Sequence, residues 1–234
     1  MTENDVCLDI IHAQFNELVE HYQGLSLHED QPGRWIVRGD LTFRAEYNGV
    51  EMAGTFSVLI TLPDDYPASP PKICETGEQI PREADFHVYP TTGNFCLGAQ
   101  IEVRRKFAQN PDLLHFVKDQ VVHFLYALVY RSWFGKMPWG ELSHSGKGIL
   151  EYYNELFHVS GHKPTLHLLL ALHDRVFHRT WMCPCGSGRK LRKCHGPQLK
   201  ELVAHCTPED VLSDMKTILD YVSPKNTNAD ARQP

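Results

Sequence analysis

Residues 183–196, CPCGSGRKLRKCHG, concentrate side chains that bind metals. Two cysteines one residue apart are followed, eight residues later, by an adjacent Cys-His pair, and Gly186–Gly188 allow the tight turn between them. Three thiolates and one imidazole suit tetrahedral zinc, and four protein ligands leave no open position for a substrate water. Redox motifs more usually place two residues between their cysteines. We therefore expect a structural Zn2+ site with these ligands: Cys183, Cys185, Cys194 and His195.

This run resembles the SEC-C motif, because it has the Cys-x-Cys-x-Ser-Gly start and the Cys-His-Gly finish. A zinc knuckle of this size has little core of its own, so metal binding would supply much of its folding free energy. Four cations lie between the ligand pairs: Arg189, Lys190, Arg192 and Lys193. They indicate either a docking surface for an acidic protein or nucleic acid, or a solvated turn whose charge keeps the thiolates deprotonated.

Cys96 stands in a different setting, the glycine-bearing loop FHVYPTTGNFCLG of residues 86–98. A cysteine after a glycine turn, on irregular backbone over a rigid sheet, can expose its sulfur while Phe95 and Leu97 anchor the loop. Exposure matters because the thiolate is the nucleophile and a buried structural cysteine is inert. The loop alone is equally consistent with a small buried residue between two hydrophobic neighbours.

The segment before this loop is rich in proline. Residues 54–73, GTFSVLITLPDDYPASPPKI, together with the later glycine turn and Cys-Leu, resemble the ubiquitin-conjugating enzyme family. The family pattern is a strand followed by Pro-x-x-Tyr-Pro-x-x-Pro-Pro-x-Ile/Val. Its matching positions here are Pro63, Tyr66, Pro67, Pro70, Pro71 and Ile73. Val88-Tyr89-Pro90, Gly93 and Cys96-Leu97 occupy the places of the family's active-site turn, with one extra residue.

The resemblance covers about residues 1–160 and implies an α+β fold: an N-terminal helix, an antiparallel four-stranded meander, an active-site loop and C-terminal helices. It also implies an enzyme in which Cys96 receives the C-terminal acyl group of a ubiquitin-like protein from an activating enzyme. A lysine amine of the target then attacks the thioester, and positioned donors must stabilise the tetrahedral oxyanion. No metal is required for that step.

Three departures from the family pattern bear on the site. The His-Pro-Asn tripeptide is absent, and His87 falls where its asparagine would lie. His87 could donate to the oxyanion, act as a base or only tie the loop down, and Asn94 is an alternative donor. The tryptophan that usually follows the cysteine is missing, and residues 137–157 are foreign to the eukaryotic enzymes. His144 and Glu141 lie there, and His144 is a further catalytic candidate, which a solvated loop explains equally well.

Hydrophobic periodicity predicts the elements that position these residues. Residues 4–22 predict a helix. Short alternating segments then predict antiparallel strands: 34–39, 41–47, 55–62 and 72–74. Gly39-Asp40 and Asn48-Gly49 predict the turns between the first three of them. Later three- and four-residue spacings predict helices: 111–134, 148–158, 164–178 and 208–222, the last with Thr207 as N-cap.

We expect three regions along the chain. A ubiquitin-conjugating-enzyme-like domain spans residues 1–160, and a helical segment with the zinc motif spans residues 161–222. Residues 223–234 lack apolar side chains and predict a disordered tail.

The 234 residues are 42% hydrophobic and 22% charged, as in an ordinary globular protein. The net charge of −6 argues against a dedicated nucleic-acid binder, although it does not exclude a local basic patch. No apolar run approaches the ~20 residues of a bilayer span. Acidic residues stand where a secretory signal would carry basic ones. We expect a soluble cytoplasmic protein with no membrane partner.

The leading hypothesis is a conjugating enzyme whose zinc module recruits a target or partner. Together the departures point to the prokaryotic families found in bacterial conjugation and antiphage operons, where a signalling nucleotidyltransferase is one target class. The rival is an inactive variant of the fold that binds a modifier without forming a thioester, which the lost tripeptide favours and Cys96 opposes. A zinc-dependent nucleic-acid adaptor, the third option, rests only on the basic patch.

Overall fold

The computed structural model describes residues 3–138 and 146–223 of the chain. The fold is α+β, as predicted, and the chain divides into two compact units. The first comprises residues 1–97 and 106–142, and the second comprises residues 98–105 and 143–234. The sequence-based boundary near residue 160 falls inside the second unit. Among the described residues, no helix combines the length and apolar character that a bilayer crossing requires.

The first unit contains a four-stranded antiparallel sheet in which neighbours in sequence are neighbours in space. Its strands are β1 (Leu25–Gln31), β2 (Arg34–Tyr47), β3 (Val50–Thr61) and β4 (Lys72–Glu75). β2 and β3 pair along their whole length from Ile36 with Thr61 to Tyr47 with Val50, so the Asn48-Gly49 hairpin turn predicted from the sequence is present. This confirms the predicted four-stranded antiparallel meander.

The predicted strand boundaries were wrong at Gly39. Gly39 and Asp40 are not a turn, because β2 runs through them without interruption. A Cβ atom on Gly39, which has φ +134°, would lie 2.1 Å from the carbonyl oxygen of Gly24. Glycine is therefore required for the close approach of the chain that enters β1. β1 itself was missed, since LSLHEDQ buries only Leu25 and shows little hydrophobic alternation.

Helices cover the core of the first unit. Helix α1 (Glu3–His21) buries Ile11 and Leu18 in one apolar cluster with the inner face of the sheet. A second helical run adds a large share of that cluster, and Tyr126 within it is fully buried. It consists of α3 (Leu113–His115), a π-helical segment (Phe116–Val121) and α4 (Val122–Phe134). The pattern over residues 111–134 predicted one helix, and the structure adds the π-helical segment inside it.

The second unit is helical. Its elements are the start of α2 (Gln100–Phe107), then α5 (Gly146–Phe157), α6 (His162–Asp174), α7 (Gly196–Leu202) and α8 (Pro208–Val222). The sequence predicted α5, α6 and α8 but not α2 or α7. Thr207 caps α8 as predicted, and it forms a capping box with Asp210.

Asp214 joins three helices of the second unit. Its side chain is fully buried, and Oδ2 accepts hydrogen bonds from the Tyr153 hydroxyl at 2.7 Å and the Gln100 backbone N–H at 2.9 Å. Oδ1 is buried and meets no donor among the described residues. Burial raises the pKa of Asp214 to about 7, against the opposing hydrogen bonds. The carboxyl group is therefore half protonated near neutrality and ties α2, α5 and α8 together.

This burial predicts a pH dependence of stability. The pKa of Asp214 is about 7 when folded and about 4 in an unfolded chain, so the folded state holds the extra proton between these values. The free energy of unfolding contributed by Asp214 should fall as the pH rises through that window. Asp214→Asn cannot ionise, so its stability relative to wild type should increase as the pH rises from about 4 to about 7. Denaturant titration measures this.

The exposed Glu201→Gln serves as the control for that titration, since it also removes one carboxylate from the second unit. It should keep the wild-type dependence of the unfolding free energy on pH. If the unfolding free energies of Asp214→Asn and wild type changed in parallel across this pH range, the assignment of a raised pKa to Asp214 would be wrong.

Candidate functional site

Four ligand atoms meet in the second unit. The Sγ atoms of Cys183, Cys185 and Cys194 and one ring nitrogen of His195 all lie within 4.8 Å of one another. Cys185 Sγ lies 3.7 Å from Cys194 Sγ, and His195 Nδ1 lies 3.2 and 3.3 Å from the Sγ atoms of Cys183 and Cys194. Zn–S bonds of about 2.3 Å in a tetrahedron place sulfur atoms about 3.8 Å apart. The cluster thus has the size of a tetrahedral metal site.

A short hairpin presents two of these ligands. Residues 181–183 pair with residues 189–191 through two backbone hydrogen bonds of 2.7 Å. Gly186 and Gly188 adopt left-handed conformations in the turn between them, as the sequence predicted for a tight turn. The side chain of Leu191 is 2% exposed and fills the inner side of the hairpin. Local chain geometry therefore brings the Cys-x-Cys pair back to the Cys-His pair.

A second contact fixes the ring of His195. Its Nε2 lies 2.7 Å from the carbonyl oxygen of Phe157, the last residue of α5. A carbonyl can only accept, so Nε2 carries the hydrogen and Nδ1 keeps its lone pair for the cluster. Metal-binding histidines typically have such a partner on the other nitrogen. This contact also links the metal cluster to α5.

The thiols of the cluster differ in their surroundings. Burial raises the pKa of the Cys183 thiol to about 11. Burial also acts to raise the pKa of Cys185, but hydrogen bonds from Ser187 and the other two cysteines outweigh it and lower the pKa overall. A metal ion that binds these sulfurs displaces their protons. Cys206 lies outside the cluster, and its Sγ donates to the carbonyl oxygen of Leu202 at 3.3 Å.

Cys96 lies in the first unit on a separate hairpin. Its backbone N–H donates to the carbonyl oxygen of His87 at 2.7 Å, and the N–H of Tyr89 donates to the carbonyl oxygen of Asn94 at 2.9 Å. Val88 and Phe95 face each other between these two pairs. His87 and Cys96 are therefore directly opposite across the hairpin, two residues from Asn94. The sulfur-bearing residue is partly exposed.

Aromatic contacts hold this hairpin on the core of the first unit. The ring of Phe95 stacks on Phe124 of α4 with a centroid distance of 4.4 Å. Arg131 of α4 donates to the Asp85 carbonyl oxygen and lies 5.3 Å from the centroid of the Phe86 ring. Residues on both sides of the turn are thereby anchored to one helix. These contacts with α4 fix the backbone of the hairpin that carries Cys96.

The hairpin has two further features. His87 has φ +54°, a left-handed conformation that is uncommon for a residue other than glycine or asparagine, and its Nε2 is shielded from solvent. Asn94 lines an open groove of about 870 Å3. The other walls are the β1–β2 turn, the end of β3 and Lys72 at the start of β4. This groove begins two residues from Cys96 in the chain.

Sequence reasoning missed Arg82. Its guanidinium lies over the glycine of the hairpin turn, since a Cβ atom on Gly93 would be 3.2 Å from Arg82 Cζ. Its positive charge also acts on Cys74, where burial raises the pKa of the thiol and Arg82 opposes that rise. Residues 75–86 show no periodicity that could have paired Arg82 with Gly93. His144 and Glu141 lie outside the described residues.

Comparison with known proteins matches one part of the chain. Residues 180–197 match the SEC-C motif. This match and the geometry of the four ligand atoms support a SEC-C module that can hold a metal ion. No curated protein and no solved structure matches this chain.

We expect the purified protein to contain about one metal ion per chain. Cys183→Ser and Cys194→Ser should each lose the ion and the fold of residues 181–196, because the closed site depends on all four ligands. Metal analysis of protein prepared without chelator, together with limited proteolysis, measures both effects.

Cys206→Ser is the matched control for these variants. A serine hydroxyl can donate to the Leu202 carbonyl oxygen as the thiol does, and Cys206 is not part of the cluster. This variant should retain the metal. Wild-type protein without metal, or equal metal loss in Cys206→Ser and Cys183→Ser, would contradict the site.

Proposed function

We propose that this protein is a ubiquitin-like conjugating enzyme with the ubiquitin-conjugating fold, which carries a modifier as a thioester on Cys96. The observation that supports this most is the hairpin in which a partly exposed Cys96 lies opposite His87 and close to Asn94. A nucleophilic thiol needs access and neighbouring donors, and this hairpin offers both. The order of helix, four-stranded meander and cysteine hairpin agrees with the fold that the proline pattern implies.

The chemistry has two acyl transfers. Cys96 thiolate attacks the thioester of the activating enzyme, a new C–S bond forms on Cys96, and the thiolate of the activating enzyme leaves. A lysine amine of the target then attacks the Cys96 thioester through a tetrahedral oxyanion. The C–N bond forms, the C–S bond breaks, and the amine proton passes to a base or to water. Cys96 returns as thiolate.

The groove beside Asn94 is the proposed path of the modifier's C-terminal tail. Its volume of about 870 Å3 lies in the range of ligand sites, about 300–1,000 Å3. Arg34 and Lys72 lie on its walls, and the polar side chain of Asn94 stands where it meets the hairpin. In this proposal an extended tail in the groove passes Asn94, two residues from Cys96 in the chain, before it reaches the sulfur.

His87 and Asn94 are the proposed donors to the oxyanion. His87 stands opposite Cys96 across the hairpin, and its left-handed backbone is a conformation in which asparagine is also enriched. The family's asparagine can therefore be placed at this position without changing the backbone. Oxyanion donors typically contribute about 10²–10³ in rate.

Zinc is the proposed ion of the SEC-C module. The donor set of Cys183, Cys185, Cys194 and His195 is one of the common structural sets, and all four positions are protein ligands. Its role is structural, because such a site stabilises a module that has little core.

The proposed setting is the bacterial cytoplasm, in a conjugation or antiphage pathway that supplies the modifier and the activating enzyme. A nucleotidyltransferase of the same operon is the proposed target class. The rival function is an inactive member of the fold that binds a modifier, and the lost His-Pro-Asn tripeptide is the observation that favours it.

Incubation with a modifier, its activating enzyme and ATP should give an adduct that thiols cleave. Cys96→Ala should abolish the adduct, and Cys96→Ser should convert it to a thiol-stable ester or remove it, because oxygen replaces the leaving thiolate. Gel electrophoresis with and without reductant distinguishes these products. Cys74→Ser is the matched control, since Cys74 is also partly exposed and pairs with Asn94 on the next strand. A thiol-sensitive adduct that survives Cys96→Ala would exclude Cys96 as the carrier.

The role of His87 is tested by discharge of the preformed thioester to a free amine. His87→Ala should slow discharge about tenfold or more, since it removes a donor to the oxyanion. His87→Asn should keep most of the rate, because the asparagine side-chain amide can still donate to the oxyanion. If wild type and His87→Ala discharged at the same rate while Asn94→Ala discharged slowly, Asn94 alone would be the donor that stabilises the oxyanion.

A further inference from the structure

The positive charge of the chain is concentrated around the metal cluster. Of the 23 Lys and Arg residues, seven lie between residues 175 and 200, and none of the 29 acidic residues lies there. The remaining sequence therefore holds 16 basic and 29 acidic residues. The whole-chain charge of −6 averages over these two parts and conceals the basic one.

The metal hairpin displays this charge on its outer side. Met182 and Lys190 are opposite each other in the hairpin, and both side chains are exposed. Cys183 and Leu191, one position on, are buried. Because side chains alternate along paired strands, one face of the hairpin points to the metal cluster and the other to solvent.

An exposed aromatic residue lies next to this pair in the hairpin: Trp181 precedes Met182, and its carbonyl oxygen accepts the backbone N–H of Leu191 at 2.7 Å. The side chain of Trp181 is 54% exposed. His178 packs against it with a ring-centroid distance of 4.4 Å and an interplanar angle of 45°. Met182 beside it is 58% exposed. The ring of Trp181, packed against His178, is exposed enough for a planar ligand group to stack on it.

The exposed cations nearest to Trp181 in the sequence form no ion pair with the described part of the chain. Five of them lie within residues 178–193: Arg179, Arg189, Lys190, Arg192 and Lys193. None of these five forms an ion pair with any carboxylate among residues 3–138 and 146–223. Their charges are therefore open to anions from outside the chain.

We propose that the solvent-exposed surface of residues 178–193, around the metal hairpin, binds single-stranded nucleic acid. A single strand repeats one phosphate and one flat base per nucleotide, which matches unpaired cations next to an exposed aromatic ring. An acidic peptide would satisfy the cations but has no regular planar group for Trp181. The excess of acidic residues elsewhere in the chain repels phosphates and confines binding to this surface. The proposal does not rest on a thioester at Cys96.

The test uses the full metal-bound chain and fluorescently labelled single-stranded DNA and RNA of mixed sequence, about 20 nucleotides long. Anisotropy titrations should give an association constant whose logarithm falls linearly with the logarithm of the salt concentration. The slope should be about −0.7 for each phosphate neutralised. Binding should also quench tryptophan fluorescence, because a base stacks on Trp181.

Two variants report on the two parts of the surface. Trp181→Ala should weaken binding at least about fivefold and remove most of the quenching. Lys190→Ala should make the slope of this salt dependence shallower by about 0.7, because one phosphate contact is lost. Trp133→Ala and Lys216→Ala are the matched controls, since Trp133 is 73% exposed in the first unit and Lys216 is exposed on α8. Both controls should bind as wild type does. Metal content is measured for every variant, and Trp181→Phe, which keeps a ring, should bind more tightly than Trp181→Ala.

The proposal is overturned by any of three results. The first is the absence of salt-dependent binding to either oligonucleotide. The second is equal binding by wild type and a metal-bound Trp181→Ala protein. The third is displacement of the oligonucleotide by poly-glutamate at an equal concentration of charge, which would identify a surface for acidic polypeptides instead.

Discussion

The hydrogen bond from the Cys96 backbone N–H to the His87 carbonyl oxygen is the constraint on which the proposed chemistry depends. It makes residues that are nine positions apart in sequence direct neighbours across a hairpin. The stack of Phe95 on Phe124 then fixes this hairpin to a buried helix. A nucleophile placed in this way has a defined backbone position, so a donor on the facing strand can be aligned with the acyl group before reaction.

In the second unit, the metal cluster fixes a short segment that has little hydrophobic core of its own. Its ligands come from residues 183–195, and the His195 Nε2 contact with Phe157 ties this short segment to a helix that begins far earlier in sequence. If an ion occupies the cluster, its loss should release the hairpin and expose Leu191, which is 2% exposed in the folded chain. Metal binding would then be coupled to the fold of this segment.

Several parts of this structure could be predicted from sequence because their causes are local. The ligand set lies within one short segment, and its spacing alone indicated a metal cluster. Thr207 before Pro208 indicated the start of α8. The strand prediction was wrong at Gly39, because the sequence alone does not distinguish a glycine that forms a turn from one that allows two backbones to approach closely. No local pattern could reveal that Arg82 covers Gly93, or that Asp214 accepts a hydrogen bond from Gln100. Those contacts depend on tertiary packing.

A direct measurement on the sulfur tests the central claim without an activating enzyme. A short peptide thioester is incubated with the folded, metal-bound protein, and the acyl group is located by tandem mass spectrometry. The proposed carrier role predicts acylation at Cys96, ahead of Cys74 and Cys206, whose thiol pKa values are raised by burial. Acylation of Cys74 first, or reaction of Cys96 only after denaturation, would contradict it.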